Sequence, residues 1–139
     1  MKASMKVLVA IASAAFWLAP AAAPGLAHHS FAAEFDANLP VSFTGVVTRV
    51  DWRNPHIWIY IDATDAAGRL TQWEVEGGAP NALFRSGWRP DSVKPGDRVT
   101  VEGSRARRKE NSANIKSIVG PDGKRLFSGQ AEERGPAAP

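Results

Sequence analysis

Strict alternation of apolar and polar residues constrains the fold of this chain more than any other feature of the sequence. The segment His56–Asp62 (HIWIYID) places its three isoleucines on one face of an extended strand, and its histidine, Trp58 and Tyr60 on the other. A period of two residues is typical of a β-strand that buries one face, and it does not match the period of a helix. We therefore predict a strand here, with the isoleucines facing the core.

Comparable segments recur along the chain, separated by turns rich in Gly, Pro, Asn and Asp. We predict five strands, at Val41–Trp52, His56–Asp62, Leu70–Glu76, Arg98–Ala106 and Ala113–Val119. Gly45 lies in the first and longest of them, where a bulge or sharp bend would let one strand serve two sheet faces. A short helix is predicted over Pro80–Ser86, anchored by Leu83 and Phe84 and ended by Gly87.

The resulting order is three strands, a helix and two strands. This order, with a long first strand bent at a glycine, is typical of an OB-fold. We expect a mostly β protein, a small five-stranded OB-like barrel with one short helix between strands 3 and 4. Closure into a barrel would also remove exposed sheet edges. The same order fits other small barrels, so the sequence leaves the topology within this class open.

The N-terminal segment carries the pattern of an export signal. Two lysines precede Val7–Leu18, an unbroken apolar run, and small residues follow at Gly25 and Ala27, the positions that signal peptidase requires. We predict that residues 1–27 are a cleavable signal peptide and that His28 becomes the new N-terminus. The alternative, an uncleaved anchor, is disfavoured because two prolines interrupt the segment directly after the apolar run.

Cleavage at this point would leave 112 residues, which is room for one hydrophobic core. We expect a single domain over residues 28–129, followed by a disordered tail over residues 130–139. The chain has no cysteine, which excludes disulfides and thiolate metal sites. No later apolar run approaches the ~20 residues of a membrane-spanning helix. We therefore expect a periplasmic or secreted protein with no membrane insertion after cleavage.

The formal net charge of +3 overstates the basic character of the exported part. Lys2 and Lys6 belong to the predicted signal peptide, and the rest of the chain has 15 basic and 14 acidic residues. Because binding to nucleic acid depends on net or clustered positive charge, we expect no nucleic-acid partner. The basic residues that do cluster follow the fourth predicted strand closely: Arg105, Arg107, Arg108 and Lys109. They could bind an anionic group, but a solvated loop is the simpler interpretation.

Several short motifs spread over the chain occur together. They are His28-His29-Ser30-Phe31, Glu34-Phe35-Asp36, Gly45-Val46, Trp52-Arg53-Asn54-Pro55-His56, Trp73-Glu74-Val75-Glu76, Leu83, Gly87-Trp88, Lys94-Pro95-Gly96-Asp97, Val99, Val101, Gly103 and Pro121-Asp122-Gly123. With these motifs, the stretch from His28 to Gly129 resembles an uncharacterised family of exported bacterial proteins, a domain of unknown function of the DUF6152 type. The resemblance implies export and a small single domain. It brings no activity, cofactor or catalytic residue.

Histidines provide one candidate site. If the signal is cut after Ala27, the exported chain begins with His28 and His29. An α-amine, two imidazoles and a backbone amide then lie together, and these nitrogen donors suit Cu(II). His56 could complete a three-nitrogen set, so His28, His29 and His56 are the candidate metal ligands. The alternative is a flexible arm that happens to start with two histidines, with His56 hydrogen-bonded at the exposed end of its strand.

Aromatic side chains provide a second candidate site. The outward face of the first two predicted strands carries Trp52, His56, Trp58 and Tyr60. OB-folds often bind oligosaccharides or oligonucleotides in this region, and aromatic rings stack on sugars and bases. The alternative is that the strip is covered as a second core, either by Phe31 and Phe35 of the N-terminal arm or by Leu126-Phe127.

The acidic residues give little support for catalysis. Glu74 and Glu76 share one face of the third predicted strand near Asp62, but such alternation is ordinary for a solvated strand, and no catalytic motif accompanies it. We therefore predict a non-catalytic periplasmic binding or accessory domain for a small ligand or an envelope protein partner. The alternative is a copper-binding protein that uses the mature N-terminal histidine. A purely structural envelope component is compatible with the same sequence.

Overall fold

The computed structural model of the protein describes residues 31–128. The predicted signal peptide, the histidine pair that follows it and the predicted C-terminal tail lie outside the described residues. Residues 31–34 are helical and lead directly into the first strand. The elements then follow in the order β1 (Phe35–Asp51), β2 (Trp58–Thr64), β3 (Leu70–Glu76), α1 (Pro80–Arg85), β4 (Arg98–Ala106), β5 (Ser112–Val119) and β6 (Arg125–Phe127).

The strands form one sheet in the order β3-β2-β1-β4-β5-β6, and neighbours in this order pair antiparallel. In addition, Glu74–Glu76 of β3 pairs in parallel with Ser112–Asn114 of β5. This pairing closes a ring of five strands, β1 to β5, while β6 pairs with β5 outside the ring. The predicted mostly β class is confirmed. The predicted number of strands is too low by one, because β6 was expected to be only a turn and a short apolar end.

The first strand is long enough to pair with β4 along its first part and with β2 along its last part. At Gly45, where the two pairings overlap, an added Cβ would lie 2.5 Å from the carbonyl oxygen of Asp62, so the close approach of the strands requires glycine. We expected a bulge or a sharp bend at Gly45, and no bulge lies there, because Gly45 pairs in regular register with Ala63 of β2 and Val99 of β4. The β1–β2 register shifts instead at Thr48, whose hydroxyl donates to the carbonyl oxygen of Tyr60 at 3.2 Å.

The predicted bounds of β3 and β4 are confirmed, whereas those of the other strands shift. β1 begins at Phe35 instead of Val41, because its irregular first residues pair with the end of β4, Phe35 opposite Ala106. β2 begins at Trp58, two residues later than predicted.

The core fills the inside of the ring. Its largest fully buried side chains are Trp88, Ile57, Ile59, Ile61, Leu83, Ile115, Ile118, Val47, Val75, Val99 and Val101. The inward orientation predicted for the isoleucines of β2 is therefore confirmed. Ile115 and Ile118 are both buried although their odd spacing sets them out of phase on a regular strand. Lys116 between them has no partner on β4, and this bulge turns both isoleucines to the same side.

The helix α1 supplies one large core residue, Leu83, which is fully buried. Phe84, predicted as its second anchor, is 40% exposed, so that prediction is wrong. Trp88 takes the place instead: it follows a left-handed Gly87 (φ 92°), its backbone N–H donates to the carbonyl oxygen of Leu83 at 2.9 Å, and its side chain is buried. Within residues 31–128, no helix is long and apolar enough to cross a bilayer.

Candidate functional site

A cleft of about 380 Å³ lies beside Trp58, on the face of β2 opposite to the core isoleucines. Its lining comes from the N-terminal segment, from β2 and β3, and from the connection between β4 and β5: Ala33, Glu34, Phe35, Trp58, Glu74, Ala106, Arg108, Lys109 and Ser112. Phe35 and Ser112 are buried, whereas Glu34, Arg108 and Lys109 are exposed. The cleft therefore has an aromatic interior and a charged rim.

Arg107 holds the N-terminal wall of this cleft in place. Its Nε donates to the backbone carbonyl oxygens of Ala32 (2.8 Å) and Phe35 (3.0 Å), and its backbone N–H donates to that of Glu34 (2.8 Å). Its Nη1 also lies 2.9 Å from the Asp36 carboxylate. Arg107 thus reinforces the pairing that joins the start of β1 to the end of β4.

The four basic residues that we predicted to lie in a solvated loop differ in their contacts. Besides Arg107, Lys109 forms an ion pair with Glu74 at the cleft, and the Arg105 guanidinium lies over the Trp73 ring, 5.5 Å from its centroid. Arg108 has neither a hydrogen bond nor an ion pair to any residue of the described range 31–128. Of the four basic residues, Arg108 is therefore the one available to an anionic group at the rim.

The aromatic strip predicted from the sequence does not form one continuous surface. Tyr60 is half-buried beneath Arg49, whose guanidinium carbon lies 3.8 Å from the centre of the Tyr60 ring. Trp52 packs against the core and meets Phe84 of α1 edge-on, with 5.6 Å between ring centroids. Of the four predicted face residues, only Trp58 lines the cleft. Phe35 of the N-terminal arm lies beside Trp58. It forms a wall of the cleft and does not close it.

His56 forms a pair with Glu76 next to this cleft. The imidazole Nδ1 of His56 hydrogen-bonds to the Oε1 atom of Glu76, and Glu76 as a whole residue is only 6% exposed. The expectation that Glu76 is an ordinary solvated residue is therefore wrong. It is buried because β3 pairs with β5 at this point, with Glu76 opposite Asn114. The His56 side chain is 39% exposed, so its ring is partly open to solvent.

The surroundings of Glu76 act on its pKa in opposite directions. Burial raises the pKa of the Glu76 carboxyl and is the largest influence, while the charge and hydrogen bond of His56 lower it. The Glu34 carboxylate raises the pKa further, and a hydrogen bond from the Asn114 side chain lowers it. The net effect is a raised pKa. Glu34 itself is exposed and lines the cleft beside Trp58.

The other predicted carboxylates do not form a catalytic pair. Glu74 is neutralised by Lys109, and Asp62 accepts a hydrogen bond from Gln72 at 3.4 Å. Glu74 and Glu76 share a face of β3 as predicted, but one lies at the cleft and the other is buried against His56.

The predicted metal ligands are only partly described. His28 and His29 lie outside the described residues, and His56 is the histidine that the structure places. Among residues 31–128, no three His, Cys, Asp or Glu side chains converge so that they could hold a metal ion by themselves. A metal centre at His56 would therefore need ligands from another part of the chain.

A second, wider cleft of about 860 Å³ lies beside the middle of β1 and the turn between β2 and β3. Its aromatic residues are already paired, because the Phe43 ring stacks on Trp73 with 4.4 Å between centroids. Trp73 is 8% exposed and lies under Arg105. This cleft therefore offers a ligand less free aromatic surface than the cleft beside Trp58.

Sequence reasoning missed Ser112 as part of the cleft lining, and it treated Phe35 as a possible cover of the aromatic strip instead of a wall of the cleft. It also missed the burial of Glu76 against His56. The shared face of Trp58 and Glu76 could have been found from the hairpin, because the β2–β3 register sets these two residues opposite each other. The parallel pairing of β3 with β5, which buries Glu76, joins residues far apart in the chain and leaves no local signal.

Comparison with known proteins agrees with the resemblance inferred from the motifs. The model of DUF6152, a family of unknown function, matches residues 14–114, which include β1 to β4 and the start of β5. The Pro121-Asp122-Gly123 motif lies beyond the matched residues. No curated protein matches the sequence. Since the match covers well over half of the chain, the protein belongs to the DUF6152 family of unknown function.

Proposed function

We propose that this protein is an exported, non-catalytic binding or accessory domain that holds a small ligand or a segment of an envelope partner in the cleft beside Trp58. The observation that carries this proposal is the presence of the partly exposed Trp58 indole and the Phe35 ring in the lining of one cleft. A volume of about 380 Å³ falls within the range of small-molecule pockets, roughly 300–1,000 Å³. Arg108 at the rim favours a ligand that carries a negative charge.

The strand arrangement supports reading the ring as an OB-like barrel. In that fold the first strand pairs with both the second and the fourth, the third and fifth strands close the barrel, and a helix follows the third strand. The pairings of β1 and the parallel β3–β5 contact follow this plan, and α1 lies between β3 and β4 in the chain. OB-folds commonly bind ligands on the face of strands 2 and 3, the position of Trp58 and Glu74.

Export is the part of the proposal that rests on the sequence alone. Two lysines, the apolar run Val7–Leu18 and the small residues before His28 have the order of a cleavable signal peptide. We place the mature protein in the periplasm or outside the cell. Mass spectrometry of protein recovered from the periplasm tests this directly, and a mature chain starting at His28 is the expected result.

Binding at the cleft can be tested with anilinonaphthalene sulfonate, a fluorescent probe with an apolar ring system and one negative charge. Trp58→Ala should weaken its binding by about tenfold, which corresponds to losing about 1.4 kcal/mol of contact. Phe84→Ala is the matched control, because Phe84 is an exposed aromatic outside the cleft. Equal probe binding by both folded variants and the unmodified protein would remove the basis of the proposal.

A copper-binding function is the second candidate. It is favoured by the surroundings of His56, whose Nδ1 hydrogen-bonds to Glu76 while its side chain stays 39% exposed. A mature N-terminal His28 would offer its α-amine and imidazole to Cu(II), with His29 or His56 as an additional ligand. One glycine added before His28 should abolish tight Cu(II) binding in a calorimetric titration. Unchanged binding would exclude the α-amine as a ligand.

A further inference from the structure

We propose that the ligand of the cleft beside Trp58 is a small zwitterion of the amino acid type that also carries an aromatic ring. In this arrangement the ring contacts Trp58, the carboxylate lies at Arg108, and the ammonium group lies at Glu34. This inference rests on the first candidate of the proposed function and deepens it, because it names the class of ligand that the cleft would take.

The ionisable side chains that line the cleft leave one negative and one positive charge without a partner. Glu74 and Lys109 neutralise each other in an ion pair. Glu34 and Arg108 are both exposed, and within residues 31–128 neither side chain forms an ion pair or a hydrogen bond. A ligand that carries only an anion would be attracted by Arg108 and repelled by Glu34, and a ligand that carries only a cation would meet the reverse. A ligand that carries both charges matches both residues.

Glu34 and Arg108 are neighbours along this rim. The backbone N–H of Arg107 donates to the carbonyl oxygen of Glu34 at 2.8 Å, so Arg108 directly follows a residue that is bonded to Glu34. In the described part of the chain, the two side chains nevertheless form no ion pair with each other. The ammonium and carboxylate groups of an amino acid are joined through one carbon atom. One such molecule can therefore form charge-assisted hydrogen bonds with both side chains at the same time.

Ser112 supplies a hydrogen-bond donor inside the cleft. It is only 3% exposed, and it lines the cleft. Its hydroxyl group has no hydrogen-bond partner among residues 31–128, whereas the buried Ser117 hydroxyl on the same strand donates to the Glu102 carboxylate at 3.0 Å. The Ser112 hydroxyl is therefore free to donate to an acceptor atom of the ligand. Ser112 begins β5 and Arg108 lies in the connection that leads into it, so both donors face the ligand carboxylate from the same wall.

The apolar part of the cleft favours an aromatic ring on the ligand. Trp58 is partly exposed, Phe35 is buried, and both line the cleft. Aromatic rings gain energy from offset-stacked or edge-to-face contacts with one another, beyond the burial of their area. The cleft volume of about 380 Å³ is near the lower end of the range for small-molecule sites, roughly 300–1,000 Å³. The cleft is therefore suited to one small aromatic molecule.

Three probes of similar shape test this inference. They are L-phenylalanine, phenethylamine, which lacks the carboxylate, and 3-phenylpropanoate, which lacks the ammonium group. Each is titrated into the purified protein and followed by two-dimensional NMR at low salt, where exposed charges are least screened. We expect L-phenylalanine to shift the Trp58 indole N–H and to bind about tenfold more tightly than either analogue, because each analogue loses one charge-assisted hydrogen bond.

Two substitutions separate the contributions of the two charges. Glu34→Gln should weaken the binding of L-phenylalanine about tenfold and leave that of 3-phenylpropanoate unchanged or tighter. Arg108→Gln should weaken the binding of both carboxylate probes and leave that of phenethylamine unchanged or tighter. Glu110→Gln and Arg98→Gln are the matched controls, because they remove the same charges from exposed residues outside this cleft and should change none of the affinities.

The three titrations of the unmodified protein cover the case in which a variant fails to fold. Equal affinity for L-phenylalanine and 3-phenylpropanoate, with both probes shifting the Trp58 indole, would overturn this inference and leave the proposed binding function intact. Binding of anilinonaphthalene sulfonate at Trp58 without any response to L-phenylalanine would have the same consequence. If neither the three probes nor anilinonaphthalene sulfonate acted on Trp58, both the inference and the proposed function would be overturned.

Discussion

The Arg107 guanidinium lies 2.9 Å from the carboxylate of Asp36, a residue 71 positions earlier in the chain. The same guanidinium donates to two backbone carbonyl oxygens of the N-terminal segment. These contacts join the end of β4 to the start of β1, and they hold Phe35 in the wall of the cleft beside Trp58. The N-terminal wall of the cleft therefore depends on Arg107.

Replacing Arg107 should loosen this segment before it affects the core. Arg107→Ala removes an ion pair and two hydrogen bonds to backbone carbonyls, so we expect the free energy of unfolding to fall by about 1–2 kcal/mol. Amide hydrogen exchange at residues 32–40 should accelerate more than exchange in β2 and β3. Arg108→Ala is the matched control, since Arg108 has no such contacts within residues 31–128. Equal exchange in the two variants would contradict the role assigned to Arg107.

At Gly45, β1 lies too close to β2 to leave room for a side chain. A methyl group at this position would meet backbone and side-chain atoms of β2, at 2.5 Å from the Asp62 carbonyl oxygen and 2.6 Å from Cγ2 of Ile61. Gly45→Ala should therefore destabilise the protein by about 1–3 kcal/mol or more in urea unfolding. Gly120→Ala provides the comparison. The atom nearest to its added methyl group would be a carboxylate oxygen of the flexible Asp122 side chain, at 3.2 Å. A Gly45→Ala variant as stable as Gly120→Ala would show that the strands separate easily.

The Glu102 carboxyl gives a pH-dependent prediction. Hydrogen bonds from Arg125 and Ser117 lower the pKa of Glu102 below its ordinary value, with Arg125 the larger influence. A lowered pKa in the folded state means that Glu102 contributes stability above its unfolded pKa, and that this contribution is lost as the pH falls through the folded pKa. Arg125→Gln should raise the pKa of Glu102 in an NMR titration and reduce this part of the acid sensitivity.

Asp65 serves as the internal reference in that titration. Its pKa is also lowered, first by a hydrogen bond from the Arg69 backbone. Asp65 lies in the β2–β3 turn, and within residues 31–128 its hydrogen bonds join it to Ala67 and Arg69 and not to Arg125. Its titration should be the same in the unmodified protein and in Arg125→Gln. A pKa of Glu102 that stays constant when Arg125 is replaced would contradict the prediction.

Local patterns predicted much of the fold. β3 and β4 alternate regularly between clear turn residues, and their bounds agree with the prediction. The isoleucine face of β2 follows from the same period of two. Where the pattern breaks, prediction was weaker: Phe35–Pro40 does not alternate and is a strand only because β4 pairs with it, and Arg125–Phe127 is too short to show a period.

The candidate site was less predictable, because its key contacts join distant segments. His56 and Trp58 were singled out from the sequence, but nothing near Glu76 in the chain indicates that β5 covers it. Tyr60 and Trp52 looked equivalent to Trp58 on an isolated strand. Arg49 covers the first and Phe84 meets the second, and both contacts depend on tertiary packing.

The proposed function is tested most directly by mapping where small molecules bind to the unmodified protein. A library of small aromatic carboxylates, screened by two-dimensional NMR, should include compounds that shift the Trp58 indole N–H together with the backbone amides of Phe35, Arg108 and Ser112. That result would place the ligand between the two aromatic walls with its carboxylate at the rim. Shifts confined to the wider cleft around Phe43 and Trp73, with the Trp58 indole unaffected, would contradict it.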